Sequence, residues 1–335
     1  MNCSTKLTVI DLFAGCGGMS LGFQNMGFEI AAAFDYWDSA IHNYRQNFNH
    51  PIYKLDLGLP EIEPVTFTQF NPFMMIGGPP CQDFSHAGKR NEELGRADLT
   101  IAFAKIIAAV KPRFFIMENV DRAARSKRFQ TAREIFRQAG YGLTERVLDA
   151  SLCGVPQKRK RLFVIGELSA PDDFLSDYLT HNLAAQPLSV RQYFIQCLGQ
   201  ELDIQHYYRH PRNYSRRAIY SIDEPSATIR GVNRPIPATY VIHPADATLS
   251  KEAVRPLTTR ERASIQTFPE SFLFSGSKSD LEQLIGNAVP VKLAEYVARA
   301  VLDYLEGKNL HIATIQTLQL KLFEVSNEYA SSARN

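Results

Sequence analysis

The sequence predicts an α/β fold: a mainly parallel, twisted sheet with helices on both faces, plus a small inserted domain. Three observations carry this. Up to about residue 166, short apolar runs alternate with amphipathic helical stretches joined by brief connections, the pattern of parallel strands linked by helical crossovers. Glycines and prolines stop several of those runs at their carboxyl ends, where open sheets place their sites. From about 168 to 250 periodicity weakens, prolines multiply, and arginines and tyrosines crowd together, before a helical pattern returns.

The elements follow in order. "LTVIDLF" reads as a strand, "AGCGG" as a glycine-rich turn and "MSLGFQNMGF" as a helix stopped near Gly27. "EIAAAFD" is a second strand and "YWDSAIHNYRQNF" a second helix, and a third strand precedes "YKLDLG". Then come the strand "FMMIGG", the helix "DLTIAFAKIIAAVKP", the strand "RFFIMENV" and the helix "RFQTAREIFRQAGY". "YGLTERVLDASLCGVPQKRKRLFVIGE" has the pattern of two antiparallel strands joined by a basic turn. The resulting division is a catalytic and ligand-binding domain over 1–167, an insert over 168–250, a return to the first domain over 251–310 and an extension over 311–335.

Composition narrows the function classes. The chain has 335 residues, 45% hydrophobic and 21% charged, the profile of an ordinary globular protein. No apolar run approaches the roughly 18 residues a membrane span needs, and the first residues show no charged leader with a cleavage site. A formal net charge of +2 means that an anionic partner must be met by local basic patches. Cys3, Cys16, Cys81, Cys153 and Cys197 are scattered and show no CxxC spacing, so neither a disulfide framework nor a structural metal is expected. A monomer in a reducing cytoplasm is the expectation.

The first chemical constellation is "VIDLFAGCGGMSLGF". Gly15, Gly17 and Gly18 follow a strand and let backbone pass close to a ligand before a helix opens. The third glycine of the dinucleotide fingerprint would fall at Ser20, so the match to that fingerprint fails. Asp35 ends the next strand, where a carboxylate can hold two ribose hydroxyls, and Tyr36 and Trp37 follow as candidate covers for an adenine. Asp56 lies near the same edge. This set suits an adenosine-containing ligand without a pyrophosphate.

Cys81 stands in a polar loop just beyond the strand of "FMMIGGPPCQDFSHAG", where a cysteine does not serve as core filling. Glu118 ends the apolar run of "FFIMENV" at the same sheet edge. A thiol nucleophile beside a carboxylic acid suits attack on an electron-poor ring with simultaneous proton donation. In "GVPQKRKRLFVIG", strand alternation sends Arg159 and Arg161 to one face and Lys158 and Lys160 to the other. The arginines are either part of a solvated basic turn or face the site and hold a phosphate or ring carbonyl.

With these residues in view, the chain resembles the DNA (cytosine-5)-methyltransferases of bacterial restriction–modification systems. "DLFAGCGG", "GGPPCQDFS", "MENV", "GVPQKRKRLFVI", "RPLTTRERASIQTFPESF" and "QLIGNAVP" resemble that family's motifs in the family's order. The resemblance implies a Rossmann-like methyltransferase fold with S-adenosyl-L-methionine as cofactor, and 168–250 as the target recognition domain. Cys81 would attack C6 of the cytosine, Glu118 would contact N3 and the exocyclic amine, Arg161 would meet O2, and Arg159 would support the active-site loop. Methyl transfer to C5 and loss of the C5 proton and the cysteine would give 5-methylcytosine. Phe13, Gly15, Cys16, Gly17, Asp35, Tyr36, Asp56, Leu57, Pro80, Leu99, Asn287 and Val289 would line the cofactor site. The segment 82–96 would be a hinged loop closing over a flipped base, with Gln82 and Ser85 against double-stranded DNA. Departures are small: Asp35 replaces the family's usual glutamate and Tyr36 a common tryptophan.

Between Ile204 and Arg234 the insert carries six arginines (Arg209, Arg212, Arg216, Arg217, Arg230 and Arg234) against two acids, with tyrosines interleaved. Arginine makes bidentate bonds to guanine edges and phosphates. Thr228, in "PSATIRG", resembles a threonine-bearing element of the family's recognition domain. Two other readings stand beside this one. A transfer-RNA cytosine-5 methyltransferase would carry a Cys-Phe-Thr element between "ENV" and "PQKR", and only Cys153, followed by Gly154 and Val155, occurs there. An inactive DNA-binding relative would have lost the cysteine, the glutamate or the glycines. Pairing with a restriction endonuclease and residence at the nucleoid follow from the resemblance.

Overall fold

In a computed structural model, residues 7–59, 62–80, 99–211, 213 and 216–308 are described. Strand β1 (Thr8–Leu12) leads through α1 (Gly18–Asn25) to β2 (Glu29–Asp35), and α2 (Asp38–Asn47) leads to β3 (Ile52–Lys54). The short α3 (Val65–Thr68) precedes β4 (Met74–Gly77), followed by α4 (Leu99–Val110), β5 (Phe114–Val120), α5 (Lys127–Gln138) and β6 (Tyr141–Asp149). A two-residue β7 (Gln157–Lys158) precedes β8 (Lys160–Leu168). Then come α6 (Ser176–His181), α7 (Val190–Leu198), β9 (His206–Tyr208), β10 (Ile219–Ser221), β11 (Ser226–Ala227) and β12 (Arg255–Pro256). Three helices close the chain: α8 (Thr259–Ile265), α9 (Lys278–Asn287) and α10 (Val291–Leu305).

Seven strands form one sheet in the order β3-β2-β1-β4-β5-β8-β6. β3, β2, β1, β4 and β5 are mutually parallel, and β8 runs antiparallel to both β5 and β6. Strand order reverses at β1, between β2 and β4, and the crevice beyond their carboxyl ends is where such sheets bind ligands. Both faces are covered, so the central strands read as continuous apolar runs. Val9, Met74, Phe114, Ile116 and Ile165 point to the side packed by Phe23 of α1 and by Leu293, Val297 and Val301 of α10. Their neighbours Ile10, Met75, Phe115, Met117 and Val164 point to Phe103 of α4 and Phe129 and Phe136 of α5. This is the two-residue alternation of a strand.

After β8, Leu175 and Leu179 of the α6 region join the first of those cores. A further core unites α2 (Ile41, Tyr44) and Cys16 with Tyr193 and Phe194 of α7, Tyr207, Ile229, Ile265 and Leu284. A three-stranded sheet β10-β9-β12 and the pairing of β11 with β7 form apart from the seven-stranded sheet. Helix α7 begins at a capping box of Ser189 with Gln192 and ends at Gly199, in the left-handed region at φ 64°, which satisfies the helix ends locally.

Candidate active site

The turn after β1 is built by positive-φ residues: Phe13 at 59°, Gly15 at 57° and Gly17 at 93°. A Cβ on Gly17 would lie 2.3 Å from the Phe48 ring, and one on Gly18 would lie 2.2 Å from the Val289 carbonyl oxygen. Only glycine permits both approaches, and the second brings the "NAVP" segment against the turn. A Cβ on Gly15 would meet nothing within 4 Å, so that side of the turn opens outward. Both carboxylate oxygens of Asp35 hold backbone: Oδ2 accepts from the Gly15 amide and Oδ1 from the Trp37 amide, each at 2.8 Å. Burial raises the Asp35 pKa, and these amide bonds oppose the rise.

Around this turn, Cys16 is buried with its thiol against the Leu284 carbonyl, and burial pushes that thiol up to about 12. It is a packing residue rather than a thiolate. Leu57 is buried, Asp56 accepts from the Gly58 amide at 3.0 Å, and Tyr36 presents a ring that is 55% exposed. Val289 is buried, Asn287 is exposed at the end of α9, Pro80 is exposed, and Leu99 opens α4.

At the carboxyl end of β5, Glu118 is buried and its Oε1 lies 2.7 Å from Nε of Arg161. The β5–β8 register sets Glu118 opposite Phe163 and Val120 opposite Arg161, so Glu118 and Arg161 are diagonal neighbours on one face. A Cβ on Gly78 would stand 3.3 Å from Glu118 Oε2, and Asn119 Nδ2 donates to the Pro79 carbonyl at 3.2 Å. The turn Gly77–Pro80 therefore passes directly over the carboxylate. Cys81 follows Pro80 in sequence; Cys81, Gln82 and Ser85 lie outside the described residues.

Arg159 and Arg161 share the inner face while Lys158 and Lys160 are exposed, as alternation requires. Arg159 is buried, which lowers its pKa. It donates to the carbonyls of Ile229 at 3.1 Å, Gly286 at 3.2 Å and Ala288 at 3.0 Å. Those carbonyls compensate a buried cation. Its two terminal NH2 groups thus meet backbone.

In the insert, Arg209 Nε donates to the Thr228 carbonyl at 3.1 Å. Arg217 pairs with Glu224 and lies over the Tyr220 ring at 4.3 Å, and Arg230 donates to the His210 carbonyl. Thr228 donates to the Lys158 carbonyl at 2.8 Å. Arg216 and Arg234 are exposed, and among the described residues neither guanidinium makes a hydrogen bond or ion pair. Arg212 lies outside the described residues. Among the described residues no cluster of three or more His, Cys, Asp or Glu could hold a metal, and no helix is long and apolar enough to cross a membrane.

Sequence reasoning passed over two polar networks, one around Asp11 and one at Gln157. Asp11, on β1, accepts from Ser20 at 2.6 Å; Tyr44 donates to Ser20 at 2.7 Å and meets His50 Nε2 at 2.7 Å. Burial raises the Asp11 pKa to about 7 and lowers that of His50 to about 4. Gln157 and Gln266, both at 0% exposure, are bonded to each other. The one sequence signal for Asp11 was a charged residue inside the apolar run "TVIDLF".

A mixed seven-stranded sheet with a glycine turn at its reversal point and a buried carboxylate–arginine pair two strands away places the chain in the Rossmann-like class of α/β folds. The chain belongs to the C-5 cytosine-specific DNA methylases, whose family model matches residues 7–303, and it is a DNA cytosine-5 methyltransferase. It is 57% identical over 299 residues to Type II methyltransferase M.HgiDI of Herpetosiphon aurantiacus, covering 89% of this chain and 95% of that protein. Type II methyltransferase M.HindV of Haemophilus influenzae is 54% identical over 296 residues, 88% of this chain and 96% of that one. The solved S. pombe Dnmt2 methyltransferase superposes with a TM-score of 0.66 at 20% identity, over 90% of this chain and 99% of that one. That likeness concerns the fold alone.

Proposed function

We propose that the chain methylates C5 of a cytosine within a specific double-stranded DNA sequence, using S-adenosyl-L-methionine, as the modification partner of a restriction endonuclease. The observation that carries this reading is the Glu118–Arg161 pair lying under the Gly77–Pro80 turn that leads into Cys81. Two relatives of matching length bear the name Type II methyltransferase, which supports the restriction–modification setting and, with it, a cytoplasmic place of work beside the nucleoid.

The residues at the β1–β4 crevice fit the cofactor. The outward-facing side of Gly15 leaves room at the turn, Asp35 keeps lone pairs for hydroxyls beyond its two amide bonds, and the exposed Tyr36 ring offers a stacking surface. When bound, the cofactor supplies an electrophilic methyl group. The target base must leave the helical stack to be reached, at a cost of a few kcal/mol. Cys81, as thiolate, forms a bond to C6. Glu118 relays a proton taken from solvent to N3 as that bond forms, so electron density accumulates at C5 instead of on the ring as an anion. Arg161 holds the Glu118 carboxyl in place and meets the carbonyl oxygen O2 of the base. After methyl transfer solvent takes the C5 proton, N3 returns its proton to Glu118, the C5–C6 double bond re-forms and the Cys81 thiolate departs. Arg159 holds the recognition segment and the "GNAV" backbone against the site. In the insert, Arg216 and Arg234, whose guanidinium groups are unengaged among the described residues, reach DNA, whereas Arg209, Arg217 and Arg230 direct donors to the Thr228 carbonyl, Glu224 and the His210 carbonyl.

The test is Cys81→Ala. Transfer of labelled methyl to DNA should disappear, because no other group can saturate C6; appreciable turnover in the folded variant would refute the assignment.

A further inference from the structure

Gln157 and Gln266 come from segments 109 residues apart, yet their amides meet at 2.7 Å with both side chains at 0% exposure. Two amides buried at zero exposure are an expensive way to fill a core. Apolar side chains of the same shape would serve packing at equal or lower cost, whereas fully satisfied buried polar contacts fix one geometry. The bonds at the two ends of the pair show what is fixed.

At one end, Gln157 Oε1 accepts from the Ile229 amide at 2.9 Å. A backbone N–H can only donate, so Gln157 turns its oxygen there and its NH2 toward Gln266 Oε1. At the other end, Gln266 Nε2 donates to the carbonyls of Ile285 at 2.5 Å and Ala288 at 3.0 Å. The direction of every bond in the chain is thereby set by backbone groups at its ends. Arg159 forms a second strut between the same segments, donating to the Ile229 carbonyl and to those of Gly286 and Ala288. Both polar groups of Ile229 are therefore tied to the 285–288 backbone.

The tied segments serve different ligands. Ile229 lies between Thr228 and Arg230 in the recognition insert. Ala288 precedes Val289, whose carbonyl rests against Gly18 of the cofactor turn. We infer that Gln266, through Gln157, is a positioning residue that couples occupancy of the cofactor crevice to the grip of the recognition insert on DNA. This rests on the proposed assignment of those two sites. A shift of the 285–289 backbone when the crevice fills moves Ile229 through bonds that cannot swivel. By linkage, each ligand then tightens the other by the same factor.

The experiment measures DNA affinity with and without saturating S-adenosylhomocysteine, using a duplex that carries the motif at which the wild-type protein deposits methyl groups. The wild-type ratio should be at least about fivefold, the lower end of typical site-to-site coupling. Gln266→Leu and Gln157→Leu should each bring the ratio to within about twofold of one, and the double variant should go no further, as expected when both act through one bond. A purely structural role would weaken both affinities and leave the ratio alone. Gln157→Leu reaches the same bond from the opposite side, so one folded variant suffices. A wild-type ratio near one, or an unchanged ratio in a folded variant, overturns the inference. A wild-type protein that methylates no DNA overturns the proposed function first and this inference with it, which separates the two failures.

Discussion

Replacing Glu118 by Gln separates the chemistry of the site from its stability. The carboxylate is 2.7 Å from Arg161 Nε, with side-chain exposures of 10% and 14%. Deleting one partner of a buried pair costs about 3–5 kcal/mol, because a charge is left unpaired. Gln keeps an oxygen in place to accept from Arg161 and loses only the charge, so about 1.5–3 kcal/mol is expected, the range for a hydrogen bond to a charged group. Domains are stable by about 5–15 kcal/mol, so more than about nine-tenths of the variant stays folded at 25 °C. The kinetic loss is larger: a neutral amide cannot donate the proton to N3, and general acid catalysis is worth about 10²–10⁴-fold, or about 2.7–5.5 kcal/mol of barrier. The assay is single-turnover transfer of labelled methyl to DNA, with urea unfolding of the same preparation. A rate within about tenfold of wild type would refute the role of Glu118, whatever its partner.

Three further predictions follow from particular contacts. Gly18→Ala forces a methyl group against the Val289 carbonyl, 2.2 Å from the ideal Cβ position. Overpacking of this kind costs about 1–3 kcal/mol, and S-adenosylhomocysteine affinity measured by calorimetry should fall with it; unchanged unfolding and affinity would contradict the close approach. Asp11 holds its proton more tightly when folded, with its pKa raised from 3.8 to about 7. The folded chain therefore binds more protons between those values, and stability falls as pH rises from about 4 to 7 and levels off above. Asp11→Asn should flatten that fall in urea titrations across pH; an unaltered profile would remove Asp11 as its source. Arg234→Ala should lower the slope of log DNA affinity against log salt by about 1 without changing thermal stability, whereas Arg217→Ala, which breaks the Glu224 pair, should lower stability; the reverse pattern would exchange their roles.

Much of the fold is legible because the central strands are buried on both faces and so appear as unbroken apolar runs. "EIAAAFD" becomes β2 residue for residue, and "FFIMENV" becomes β5. The placement of Arg159 and Arg161 on one face also follows from alternation alone. What sequence could not supply is pairing at long range. Nothing in "GVPQ" or "SIQT" announces that Gln157 and Gln266 will meet, because a buried amide and a solvated one read alike until the topology brings partners together. Asp35 has the same lesson on a shorter scale. Its carboxylate was expected to serve ligand hydroxyls, and it also ties the glycine turn to the start of α2, through bonds that depend on backbone geometry. In the insert the six arginines look equivalent in composition, and for the five among the described residues only their partners in the fold separate them.

The central claim is best tested by giving the protein methyl-labelled S-adenosylmethionine with unmethylated genomic DNA and, separately, with total transfer RNA, then sequencing the DNA for 5-methylcytosine at single-base resolution. Label confined to DNA, at one short repeated motif and absent with Cys81→Ala, is the predicted result. Label in RNA alone, or in neither substrate with folded protein, would contradict it.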